Sequence, residues 1–171
     1  MVTQSSREKK ALKIPLFDWR VKNGKIYVGN EHRGYEILVY DLDGNLLRKI
    51  RKEYNSIKYP EEFKKSVDEM AKRRPDIYSL DYCPPFNSFF IDDDNRLYVM
   101  TYEQEENKEE YIYDIFNADG IFIARKSIGL TYVIGQALNR RRAQAKNNRY
   151  YRIRYKENGY PELIVYKMIW E

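Results

Sequence analysis

One pattern recurs along this chain and limits what it can fold into. Asn23-Gly24-Lys25-Ile26-Tyr27-Val28 is echoed by Asp94-Asn95-Arg96-Leu97-Tyr98-Val99. Val39-Tyr40-Asp41-Leu42-Asp43-Gly44 is echoed by Ile115-Phe116-Asn117-Ala118-Asp119-Gly120. Asn147-Asn148-Arg149-Tyr150-Tyr151 and Leu163-Ile164-Val165-Tyr166 form a third, more diverged copy. Such self-similarity decides architecture before any single motif does, because each copy is one supersecondary unit that must bury its apolar faces against its neighbours. Asn-Gly and Asp-Gly supply the positive φ of tight hairpin turns, so each copy reads as an antiparallel meander.

In chain order, residues 1–11 are polar and read as a flexible tail. Pro15 divides the next segment into a short edge strand, 12–14, and a strand 16–21, since proline is tolerated at a strand's edge or start. Strands at 25–30, 35–42 and 45–51 complete the first four-stranded unit, 16–51. The insertion 52–86 carries a helix over Pro60–Arg74: Glu61 and Glu62 lie at its positive end and Lys72 to Arg74 at its negative end. Phe63, Val67 and Met70 fall on one face of that helix. The second unit, 87–128, has strands at 88–92, 96–103, 110–117 and 121–128. The third, 141–170, has strands at 141–146, 149–156 and 161–170, one short of four.

Composition supports an all-β fold with one short helix. The 171 residues suit a single domain, and 17 of them are tyrosine, whose apolar ring and polar tip fit half-buried pleated surfaces. Lys and Arg number 31 against 26 Asp and Glu, with the signs interleaved, which does not by itself point to nucleic acid. The one cysteine, Cys83, excludes an internal disulfide. No stretch has the length and apolarity of a membrane span or a signal peptide, so a soluble chain is expected, cytoplasmic if it is complete.

Three meanders with a G/N-[KR]-[ILY]-Y-V inner strand and a [VI]-[YF]-[DN]-x-D-G-x-[LF] hairpin resemble the blades of a six-bladed β-propeller of the NHL-repeat-like superfamily. The resemblance covers roughly 16–171 and is closest to the C-terminal half of bacterial propellers with a Pro-ended helical insertion between two blades. It implies a protein that binds partners or small ligands; a minority of the superfamily are lyases or hydrolases with a site near the central channel. No catalytic residue of that superfamily maps onto this sequence, so none is expected here, and no cofactor or metal either. A closed propeller has 4–8 blades, and this chain has three.

Several residues bear on chemistry. Asp41-Leu42-Asp43-Gly44-Asn45 resembles the start of a calcium loop, but Leu46 and Lys52 stand where an EF-hand needs Gly and Glu, so a turn is expected. Asp92-Asp93-Asp94 could hold a hard cation, yet it also sits where a hairpin must turn. His32 is the only histidine. It could be a general base, but has no Ser or Cys neighbour in sequence. Cys83 reads as a small buried apolar residue rather than a nucleophile. A basic stretch, Arg140, Arg141, Arg142, Arg152 and Arg154 with Tyr150, Tyr151 and Tyr155 interleaved, could meet phosphates and bases. A strand with one apolar and one charged face accounts for most of that pattern.

Topology points to a site more directly. Within each meander the turns between first and second strands and between third and fourth are short. The opposite edge holds every long connection: 30–34, 52–86, 103–109, 129–140 and 156–160. Variable loops on a rigid scaffold are where binding is built, so His32, Arg33, Tyr82, Tyr102, Glu103, Tyr132 and Tyr160 are the candidate ligand- or partner-binding residues. A non-enzymatic binding or scaffold module is the leading expectation, a propeller lyase or hydrolase the alternative, and nucleic-acid binding the third. Three blades cannot close a ring. The expected partner is therefore a second copy, through exchange of strand 12–14 onto 163–170, or a missing half-propeller.

Overall fold

The structure, a computed structural model, describes residues 10–12, 17–30, 33–74, 77–105, 110–128, 143–156 and 158–169. Its elements, in chain order, are β1 (Lys10–Leu12), β2 (Phe17–Lys22), β3 (Lys25–Asn30), β4 (Glu36–Asp41), β5 (Leu46–Arg51), α1 (Glu61–Arg73) and β6 (Ile77–Ser79), then β7 (Ser88–Ile91), β8 (Leu97–Gln104), β9 (Tyr111–Phe116), β10 (Phe122–Ile128), β11 (Ala143–Lys146), β12 (Arg149–Tyr155) and β13 (Pro161–Lys167). Three antiparallel meanders form: sheet 1 is β2-β3-β4-β5, sheet 2 is β7-β8-β9-β10, and sheet 3 is β11-β12-β13. The first strands of the sheets are neighbours, β2 beside β7 and β7 beside β11.

The turns arise from their residues. Asn23, Asn95, Asn147 and Asn148 all adopt left-handed backbone, which asparagine accepts better than other non-glycine residues. Asp41 Oδ1 accepts from the backbone N–H of Asp43 and Asn45 at 3.0 and 2.8 Å. Asn117 Oδ1 does the same for Asp119 and Ile121 at 3.0 and 2.9 Å, and Asp92 Oδ1 for Asp94 and Arg96 at 3.0 and 2.8 Å. These side chains organise turns, as the sequence led us to expect of both acidic clusters. The first turns of the three sheets also meet: Lys22 Nζ donates to Asp93 Oδ1 at 2.6 Å and to the Ala145 carbonyl at 3.1 Å, and Asn23 Nδ2 to Asn95 Oδ1 at 2.9 Å.

The core lies between sheets. One face of sheet 1 (Tyr27, Ile37, Val39, Ile50) packs on Phe89, Ile91, Leu97, Val99 and Phe116 of sheet 2. The other face of sheet 2 (Phe90, Tyr98, Met100, Tyr113, Ile115) packs on Ala145 and Tyr150 of sheet 3. Gly29 allows the first junction: a Cβ there would lie 2.7 Å from Cζ of fully buried Phe86. Gly120 allows close approach at the far edge, where a Cβ would lie 2.8 Å from Ile50 Cγ1 and φ is +75°.

Three expectations need correction. Lys10 and Ala11 are not tail: with Leu12 they form β1, which pairs in parallel with β6 of the same chain, Lys10 opposite Ile77 and Leu12 opposite Ser79. The strand expected at 12–14 is thus engaged within the chain up to Leu12, and 13–14 lie outside the described residues. The helix buries Val67 and stacks Phe63 on Tyr59 at 4.6 Å between ring centroids, but Met70 is exposed. Its apolar face runs through Ala71, four residues after Val67, rather than through Met70. Tyr27, Tyr98 and Tyr151 hold the same place in the three copies, and the repeat leads one to expect all three to pack between neighbouring sheets; Tyr27 and Tyr98 are buried between sheets, whereas Tyr151 is only half-buried, on the side of sheet 3 away from sheet 2.

Val67→Ala is expected to cost about 2 kcal/mol and Met70→Ala less than about 0.5 kcal/mol. In urea titrations at low protein concentration, Tyr27→Ala and Tyr98→Ala should each cost roughly 3–5 kcal/mol and Tyr151→Ala under about 1 kcal/mol. Equal costs at all three tyrosines would contradict the junction assignments.

Candidate functional site

By register, sheet 2 departs from sheets 1 and 3 at a buried position. In sheet 1, Leu38 lies opposite Val28, and in sheet 3 Ile164 lies opposite Arg152; the equivalent position in sheet 2, opposite Val99, is Asp114. A carboxylate that is 1% exposed thus stands where the repeat otherwise places an aliphatic side chain. Burying a charge there requires partners. Tyr35 Oη donates to Asp114 Oδ2 at 2.8 Å. Lys52 Nζ stands 2.7 Å from Oδ1 and Arg125 Nε 3.4 Å from it, without a well-aligned hydrogen bond to that oxygen. Arg125 also pairs with Glu103.

Backbone geometry sets these positions. The Lys52 N–H donates to the Tyr35 carbonyl at 3.2 Å, extending the β4–β5 ladder by one rung and holding the two side chains abreast. Arg125 lies directly opposite Asp114 on β10. The Lys52 ammonium also lies 4.9 Å from the Phe122 ring centroid and 5.9 Å from that of Tyr35, both within cation–π range. Burial, and then the Asp114 carboxylate, hold the Tyr35 hydroxyl well above the usual tyrosine range, so it remains a proton donor at neutral pH. Burial draws the Arg125 pKa down, but Glu103 and Asp114 more than offset this and leave it raised.

These groups line a cleft of about 630 Å³ whose other walls include Tyr54, Asn55, Ile57, Pro84, Pro85, Thr101 and Tyr102. Its size falls within the ordinary range for small-molecule sites. The cleft takes residues from the 52–86 connection and the end of β8, the loop-bearing edge singled out by topology.

The sequence candidates divide between the cleft and its surroundings. Tyr102 and Glu103 line the cleft. Arg33 is bound to Glu36 at 3.3 Å outside it. Tyr82 is exposed and bridges to Lys58, and Tyr160 is exposed beside sheet 3. His32, Tyr132, Arg140, Arg141 and Arg142 lie outside the described residues, as do the side chains of Arg152 and Arg154, whose backbones pair with Ile164 and Glu162. Cys83 is buried with Tyr59 and Tyr102, and burial pushes its thiol up to about 12. Sequence reasoning missed Tyr35, Lys52, Asp114 and Arg125. The signal for them was a charge at an apolar repeat position.

Among the described residues no cluster of His, Cys, Asp or Glu could hold a metal ion, and no helix is long and apolar enough to cross a membrane. No protein-family model matches the chain, and no curated protein matches it.

Because its pKa is raised in the folded state, Tyr35 contributes stability that is present below the unfolded tyrosine pKa, near 10, and is lost as pH climbs through the folded value. Tyr35→Phe should therefore flatten the alkaline loss of stability above pH ~10, by up to about 1.4 kcal/mol per pH unit. At pH 7 it should cost about 1–3 kcal/mol for the lost bond to Asp114. An alkaline stability curve unchanged by the substitution would contradict the buried Tyr35–Asp114 contact.

Proposed function

We propose that this chain is a non-enzymatic ligand- or protein-binding module of the β-propeller kind, and that it binds in the cleft between sheets 1 and 2. The carrying observation is Asp114: a buried carboxylate, with one oxygen lacking an aligned donor, at a position the repeat otherwise fills with Leu or Ile. Departures from a fold's own local rule concentrate at functional sites. Lys52, Asp114, Arg125 and Glu103 are paired among themselves, which suits fixed donors and acceptors better than a base that must gain and lose protons. Tyr54, Tyr102 and the Pro84-Pro85 pair supply apolar surface against which a ligand's flat face can lie. The neighbouring first strands β2, β7 and β11 support the propeller arrangement.

The test compares wild type with Lys52→Met/Asp114→Leu, which returns the repeat's apolar residue. Replacing a buried ion pair with well-packed apolar groups is often neutral for stability, so this variant should stay folded, with a loss of about 1–3 kcal/mol for the Tyr35 hydroxyl left without its acceptor. Mono- and disaccharides and short Lys- and Arg-containing peptides, titrated into labelled protein, should shift cleft resonances in wild type. Those shifts should vanish in the variant, with the probes left chemically intact. Binding retained by the double variant would contradict the assignment, and consumption of a probe by wild type would favour a lyase or hydrolase.

A further inference from the structure

Sheet 2 is covered on both faces, but sheets 1 and 3 each have a face that packs on neither of the other two meanders. In register, Trp19 and Val21 of sheet 1 occupy the positions of Phe89 and Ile91 in sheet 2, with Val28 and Ile26 opposite them in place of Val99 and Leu97. Phe89 and Ile91 are 2% and 5% exposed in the junction with sheet 1, whereas Trp19 and Val21 are each 53% exposed. At the other end, Leu163 and Val165 of sheet 3 occupy the positions of Ile37 and Val39 in sheet 1. Ile37 and Val39 are 0% and 4% exposed, against 62% and 47% for Leu163 and Val165. Trp19 and Val21 at one end and Leu163 and Val165 at the other are thus open at positions that form the interior junctions, while Leu38, on the Trp19–Val21 face, is already buried.

We infer that these two open faces are complementary halves of one interface, and that two copies of this chain join through them to form a closed ring of six sheets. The inference rests on the propeller reading. Its occupant is identified by continuity. A face of the Ile37–Val39 kind already packs on a face of the Phe89–Ile91 kind within the chain, and the Leu163–Val165 face of one copy meets the Trp19–Val21 face of the other in the same way. Two copies related by a twofold axis make this junction twice, so no face is left to propagate a filament. Six sheets lie within the range of closed propellers. Strand exchange by the N-terminal segment is not required, since β1 is already paired with β6.

Sedimentation velocity of the full 171-residue chain tests this. The species expected has twice the chain mass of 20.7 kDa. Trp19→Glu/Val21→Glu and Leu163→Lys/Val165→Lys each alter one side of both junctions at exposed positions, so each should stay folded by circular dichroism and fall to 20.7 kDa. Mixing the two variants in equal amounts should restore the dimer, because one junction is then wild type on both sides and the other pairs Glu with Lys. If either variant fails to fold, the wild-type interface still reports through fluorescence: in Trp170→Phe, Trp19 emission should move to the red on dilution. A wild-type monomer at all concentrations, open-ended oligomers, or a dimer that survives both variants would overturn the proposal. Loss of cleft binding with the dimer intact would count against the binding reading alone.

Discussion

A four-stranded sheet that is apolar on both faces must be covered on both. Sheet 2 meets that requirement within the chain, with Phe89, Leu97 and Val99 turned to sheet 1 and Phe90, Tyr98 and Tyr113 turned to sheet 3. Everything else accommodates those two junctions. Gly29 leaves room for Phe86, Gly120 leaves room for Ile50, and Lys22 ties the three first turns together by reaching Asp93 and Ala145. At roughly 25 cal/mol per Å² of buried apolar surface, such junctions outweigh the exposed ion pairs around them.

The junction of sheets 1 and 2 is interrupted by charge. Asp114 brings a carboxylate into it, and Lys52, Arg125 and Tyr35 surround that carboxylate. A buried ion pair is weak evidence for stability, because desolvation offsets most of its attraction. It lies in the wall of a cleft, on the edge where the longest connection runs, and the proposed binding role rests on that position.

Much of the fold could be read from the sequence because two signals coincided. Asn and Asp at the turns marked where strands reverse, and alternation between turns marked what faces the core. Strand order and most boundaries came from those two signals. The exposure of Met70 did not, because a three- or four-residue step on a helix cannot be resolved without knowing what it packs on. The partner of β1 was equally illegible, since a three-residue strand carries no pairing code. Of the candidate site, Tyr102 and Glu103 were legible from loop topology, whereas Asp114, Lys52, Arg125 and Tyr35 converge from four segments. Their convergence depends on register, and only the misplaced aspartate hinted at it.

The central claim is that one junction, made by the same register positions, recurs wherever a sheet face is apolar, including at the two open ends. Side-chain oxidation by hydroxyl radicals, quantified residue by residue over a dilution series, measures this in solution. Phe89 and Val39 should be protected at every concentration. Trp19, Leu163 and Val165 should become protected together as concentration rises, at a common midpoint. Constant high reactivity at those three positions would contradict the claim, as would protection of one face without the other.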